Sequence, residues 1–171
     1  MFPQTQIAAL LHDEHLKTLA ALQSLESLLR RHPGNRTPDL AQDAIQAALR
    51  NVIAALESDI QNHFAFEETY LFPLLEQAGE FGITGILQDE HESIRPLAKD
   101  ISAMAASALD DSGFADAAWK DFHGLGMELC EREIFHIQKE EMGLLGVLGA
   151  FVDPEMDAQL SSIYQSLDRQ A

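Results

Sequence analysis

The chain of 171 residues carries 28 acidic against 11 basic side chains, a formal net charge of -17, and 46% of it is hydrophobic. That length and apolar content suit one core in one domain, and the negative charge repels phosphate backbones and anionic lipid, which excludes nucleic acid and membrane surfaces as partners. The single cysteine, Cys130, excludes an internal disulfide, a thiolate metal site and a CxxC redox pair and reads as a small buried hydrophobe.

The amino-terminal stretch "MFPQTQIAALLHDEH" has no basic segment followed by an apolar run, unlike a secretion signal. The longest apolar stretch, Met142 to Val152, is too short to cross a bilayer. A cytoplasmic, reducing location is the expectation. Apolar residues at Leu11, Leu19, Leu22, Leu25 and Leu29 predict a first helix from about Gln4 to about Arg31, broken by "HPGNRTPD". Thr37 and Pro38 suit the cap and first turn of a second, longer helix. It is predicted to run to about Gln77, where "AGEFGITG" supplies a turn. Pro73 stands near its end and is expected to loosen the last turns.

A third helix is predicted from about Thr84 to Leu109, with Pro96 inside it as a candidate kink just after His91. The turn "DDSG" follows, then a fourth helix from about Ala115 to about Gly149, and "VDPE" opens a short terminal helix, Pro154 to Asp168. No alternating β-branched runs occur, so the fold class is all-α. Short connections favour antiparallel neighbours, hence an up-down-up-down four-helix bundle with a short extra C-terminal helix. One domain spans 1–171, with helical hairpins over about 4–78 and 84–149.

The chain repeats itself. "LLHDEH" (Leu10 to His15) aligns with "ILQDEH" (Ile86 to His91), and "HFAFEE" (His63 to Glu68) aligns with "HIQKEE" (His136 to Glu141). Each hairpin thus offers one histidine from its first helix and a His-x-x-x-Glu from its second. Residues four apart on a helix lie about 40° apart around the axis and one turn along it, so His63 and Glu67 point inward together, as do His136 and Glu140. Burying so many titratable groups is costly unless a cation joins them. His15, His63, His91, His136, Glu67 and Glu140 therefore form a candidate site for two divalent metals, each glutamate placed to bridge. Imidazole and carboxylate without thiolate suit iron, the favoured metal, and also manganese or zinc.

These landmarks, His15, "HFAFE", the "DEH" that ends in His91, and "HIQKE", resemble the hemerythrin-like family, often called the HHE cation-binding domain. The resemblance spans nearly the whole chain. It implies a four-helix bundle around a non-haem di-iron centre, with His15 and His63 on one iron, His91 and His136 on the other, and Glu67 and Glu140 bridging. Oxygen-carrying hemerythrins place a fifth histidine one turn after the third-helix ligand, and here that position is Arg95. Arginine does not deprotonate to ligate iron, which argues against simple oxygen carriage. Arg95 either pairs with an acidic neighbour or faces the cavity toward an anionic ligand.

Other residues are set apart from the ligands. His12 aligns with Gln88 in the repeat, so it reads as an outer or surface histidine. His123 lies about 220° around the helix from His136, and His32 sits in a turn. Tyr70 falls seven residues after His63, on the expected next inward turn, where it closes the core or reaches the metals; its counterpart Gly143 leaves space there. Glu68 and Glu141 read as outer or solvated carboxylates, and Phe64, Phe66 and Phe72 as core.

Three functions compete on this reading. A di-iron protein would bind or sense O2, NO or peroxide, a sensor then signalling through a partner chain. An oxidoreductase would reduce NO or decompose peroxide with a redox donor, and the resemblance adds iron donation for repair of iron centres. A plain helical bundle would bind no metal. A homodimer is compatible with each.

Overall fold

The computed structural model describes residues 5–58 and 62–168, and among these the chain forms helices and connecting loops without a strand. Helix α1 spans Gln6–Arg31, and the expected start at Gln4 lies outside the described residues. Thr5 Oγ1 accepts the amide of Ala8 (3.2 Å), while Asp157 accepts those of Gln6 and Ile7 (2.8 Å each). An anionic acceptor here satisfies amides that lack intrahelical partners and complements the helix dipole.

Helix α2 covers Asp43–Ser58, which corrects the expected start at Thr37. The Thr37 hydroxyl donates to Asp116 Oδ1 at 2.6 Å instead of capping a helix. Asp39 accepts the amide of Ala41 (3.0 Å), holding the intervening loop as a turn. Beyond residues 59–61, which fall outside the described set, the predicted single helix is resolved into a short α3 (Phe64–Phe66), a π-helical segment π1 (Glu67–Leu71) and α4 (Phe72–Gln77). Pro73 directly follows the π-helical segment, and the chain stays helical through it to Gln77. Gly79 ends α4 with φ +93°. There Gly79 N bonds Glu76 O and Glu80 N bonds Leu75 O, both at 3.0 Å, a closure that glycine adopts without steric cost.

Helix α5 (Phe81–Asp110) starts three residues before the expected Thr84 and continues through Pro96. Helix α6 (Asp116–Lys139) gives way to a second π-helical segment, π2 (Glu140–Leu144), and then α7 (Leu145–Phe151). Helix α8 covers Pro154–Asp168 as predicted, with Asp153 accepting the amide of Met156 (2.9 Å) at its start.

Two compact groups of residues make up the chain. One comprises residues 1–16, 58–92 and 135–171, and its core includes Leu11, Phe66, Leu75, Leu87, Leu148 and Leu160. The other comprises residues 17–57 and 93–134 and buries Leu25, Leu49, Val52, Ile101, Trp119 and Phe122. Cys130 is buried in this second group as expected, its Sγ 3.7 Å from Leu22 O, and burial pushes its thiol up to about 12. No described helix is long and apolar enough to cross a membrane.

Candidate metal centre

The first group carries the predicted site. His15 comes from α1, His63 from the helical residue directly before α3, Glu67 from the start of π1, His91 from α5, His136 from α6 and Glu140 from the start of π2. All six are at most 1% exposed. Two sets of converging ligand atoms result, Glu67 with His91, His136 and Glu140, and His15 with His63 and Glu140, each set lying within 4.8 Å.

The carboxylates divide their oxygens between the two histidine pairs. Glu140 Oε2 lies 3.0 Å from His15 Nε2 and 3.8 Å from His63 Nε2. Its Oε1 lies 2.7 Å from His136 Nε2 and 3.5 Å from His91 Nε2. Glu67 turns Oε1 to His63 and Oε2 to His91, both at 3.4 Å. Within each pair the Nε2 atoms are 3.1 Å apart. Ligand atoms each about 2.1 Å from one ion stand roughly 3 to 4.2 Å from their neighbours, and all of these separations except the 2.7 Å between His136 and Glu140 fall in that range.

None of the four carboxylate oxygens of Glu67 and Glu140 has a hydrogen bond, although all are buried. Imidazole Nε2 atoms stand close to them, 2.7 Å away at His136 and 3.0 Å at His15, so nitrogen and oxygen ligand atoms crowd one small buried region. Buried carboxylates left so are costly unless a cation sits among them. The donor set is one that could hold metal.

Each imidazole is held from behind through Nδ1. Glu141 meets His15 Nδ1 at 2.6 Å and Glu68 meets His91 Nδ1 at 2.7 Å, so each hairpin's outer carboxylate steadies the other hairpin's histidine. Glu90 meets His136 Nδ1 at 3.1 Å. Tyr164 of α8 places its hydroxyl 3.4 Å from His63 Nδ1. Such partners fix the tautomer that leaves Nε2 to face a metal. His12, half-exposed, adds Nδ1 to Glu141 at 2.9 Å, the outer place expected for it. Phe64 stacks on His91 with centroids 3.7 Å apart.

Without cations, protons hold the charge. Burial works against a charged imidazole at His15, yet Glu140 and Glu141 outweigh it and bring the group up to about 9. Burial likewise opposes His91, and Glu140 and Glu67 bring it up to about 9. Burial opposes a charged His63 and a charged His136, yet Glu67 and Glu140 raise the first and Glu140 the second. Burial favours a neutral Glu140, but His136, His15 and His63 hold its carboxyl well below the usual carboxylate range.

Two expectations are corrected here. Tyr70 neither closes the core nor reaches the site: it is 38% exposed, and Leu71 takes the buried place. The π segment holds one more residue in its turn than an α-helix, which rotates everything after Glu67 backward. The space expected beside Gly143 is filled, since a Cβ there would lie 2.9 Å from Ile83 Cδ1. His32 and His123 stay outside the cluster as predicted, His123 Nε2 bonding Leu29 O at 3.2 Å. Arg95 is half-buried on α5. Phe64, Phe66 and Phe72 are core. Sequence reasoning missed Glu90, although it belongs to the repeated "DEH", and Tyr164, which has no counterpart in the repeat.

The family described as the hemerythrin HHE cation binding domain matches residues 6–148. Comparison with curated proteins returns no match.

Proposed function

Since the chain belongs to the hemerythrin HHE cation-binding domain family, we propose that it holds two non-haem irons and binds or senses O2, NO or peroxide there. His15 and His63 would hold one iron, His91 and His136 the other, and Glu67 and Glu140 both, within an up-down-up-down four-helix bundle of one domain. The observation that carries this reading is the set of four buried carboxylate oxygens without hydrogen bonds, facing four Nε2 atoms. A bound iron pair supplies exchangeable coordination positions and one-electron redox chemistry.

The protein's own contribution is to exclude water and fix the donors. Phe64 and Phe72 wall the His91 side with rings 3.7 and 5.5 Å from its centroid, while the outer carboxylates set the histidine tautomers. Arg95, standing where oxygen carriers have a fifth histidine, would leave one iron a protein ligand short, which argues against simple oxygen carriage and favours the oxidoreductase alternative. A reducing cytoplasm suits the lone buried Cys130.

Metal analysis with visible absorption on iron-loaded protein tests the reading. Two irons per chain, charge-transfer bands, and a stable NO or peroxide adduct are expected. Sustained turnover of NO or peroxide would make the protein an oxidoreductase instead. Absence of metal, with stability unchanged on iron addition, would leave a plain helical bundle.

A further inference from the structure

Helix α8 lies beyond residues 6–148, the part of the chain that matches the family. It is nonetheless built into the metal-bearing group. Leu160 and Tyr164 are buried in that group's core, and Met156, Ile163 and Leu167 pack against it. Asp157 and Tyr164 stand seven residues apart, two helical turns, and so share one face. From that face Asp157 takes the first amides of α1, and Tyr164 reaches His63. The Tyr164 ring also meets Phe66 edge-on, with centroids 4.9 Å apart.

The repeat makes Tyr164 an exception. Behind His136 stands Glu90, from the "DEH" that precedes it. The equivalent residue of the first hairpin is Glu14, which accepts a hydrogen bond from Ser58 Oγ at 2.9 Å. The Nδ1 of His63 meets a phenol instead, at 3.4 Å, the longest of the four outer contacts, the other three being 2.6, 2.7 and 3.1 Å. A carboxylate behind an imidazole N–H draws it toward imidazolate and strengthens the metal-facing nitrogen. A neutral hydroxyl accepts the same proton more weakly.

We propose that Tyr164 of α8 is a positioning residue for His63, and that its neutral phenol, set against the carboxylates behind the other three histidines, makes the His15–His63 position the weaker of two metal positions. His63 Nδ1–H donates to the phenol oxygen, and the ring is turned so that Nε2 faces Glu67 and Glu140. The His91–His136 position, backed by Glu68 and Glu90, fills first. This inference rests on the two-metal reading above and adds an order of filling to it.

Cobalt(II), standing in for iron(II), reads each position through its visible absorption when titrated into the full chain against a competing chelator. Wild type should take up two ions in separate steps, about tenfold or more apart. His136→Ala should abolish the tight step and His63→Ala the weak one; the opposite assignment overturns the proposal without Tyr164 being touched. Tyr164→Phe removes only the hydroxyl and should weaken the weak step by about tenfold while the tight step stays in place. Equal displacement of both steps, or none, overturns it. A wild-type chain that takes up no cobalt removes the two-metal reading and this inference together, whereas two clean steps unmoved by Tyr164→Phe remove the inference alone.

Discussion

Behind His136 stands a carboxylate from the neighbouring repeat element, while behind His63 stands a phenol from a helix that the repeat does not contain. The inner halves of the two segments are nearly alike. In each, a histidine is followed four residues later by a buried glutamate that opens a π-helical segment, and a leucine closes that segment toward the core. The next glutamate in each reaches across to a histidine of the other hairpin. The difference teaches that duplication specifies the ligands and their register, because inner geometry tolerates little change, whereas the groups behind the ligands are replaced more readily by whatever packs there.

The inner glutamates are alike in sequence but unequal in reach, and that inequality gives the largest expected effect. Glu140 approaches all four histidines, at 2.7 to 3.8 Å, and Glu67 only two, at 3.4 Å. Glu140→Gln should therefore lose both metals, and Glu67→Gln should keep one. Metal content after dialysis reads this directly. Loss of both ions should also remove the binding contribution to stability, about 4 kcal/mol for each ion where free metal stands a thousandfold above its dissociation constant. Equal metal loss in the two variants would break the asymmetry.

The outer carboxylates sharpen the comparison at the next level. Glu68→Gln and Glu141→Gln each remove the charge behind one histidine, and each should weaken metal binding by about 10- to 100-fold. Because the two contacts are matched, 2.7 and 2.6 Å, the losses should be similar and should fall on different positions. A competition titration checks both points. Losses confined to a single position would show that the cross-hairpin support is not reciprocal.

The inner set was legible in the sequence because it is duplicated: six residues of two types, three in each of two copies, leave few other arrangements. The helices from Leu11 to Leu29 and from Pro154 onward were legible from periodicity and from Pro154 behind its cap. The start of α2 was not, since Thr37 has ideal capping chemistry and only the fold reveals that Asp116 claims its hydroxyl. The π segments were hidden for a different reason. One additional residue in a turn changes no composition, and its only trace is that Leu71, Phe72 and Leu75 continue the buried face where Tyr70 was expected to. Tyr164 was hidden because nothing in the repeat points to it.

A smaller effect follows from the protons that hold the metal-free site together. In the folded chain His15 and His91 are each brought up to about 9 from an ordinary value of 6.5. Groups raised in this way contribute stability that is fully present below pH 6.5 and is lost as the pH climbs through 9. Metal-free protein should therefore denature more easily in that window as the pH rises. Metal-loaded protein should show a flatter profile, since cations replace those protons and their uptake releases them. Denaturant midpoints across pH 6 to 9, with and without metal, give the test; parallel curves would show that the protons and the metals do not occupy the same place.

The smallest expected effect lies where the two segments differ most in sequence, at Tyr70 and its counterpart Gly143. If π1 turns Tyr70 outward, Tyr70→Ala sacrifices only a tilted contact with Phe66, at 5.3 Å between centroids, and part of a ring that is already 38% exposed. Stability should fall by about 0.5 to 1 kcal/mol, and both metal steps should keep their affinities. Had the helix continued as an α-helix past Glu67, the same side chain would lie one turn below the carboxylate, and its removal would open a cavity costing about 3 kcal/mol or more. Thermal unfolding and metal titration of one variant thus distinguish the two backbones: a large loss of stability with altered metal binding would mean that the register does not change at Glu67, and the parallel drawn between π1 and π2 would fail with it.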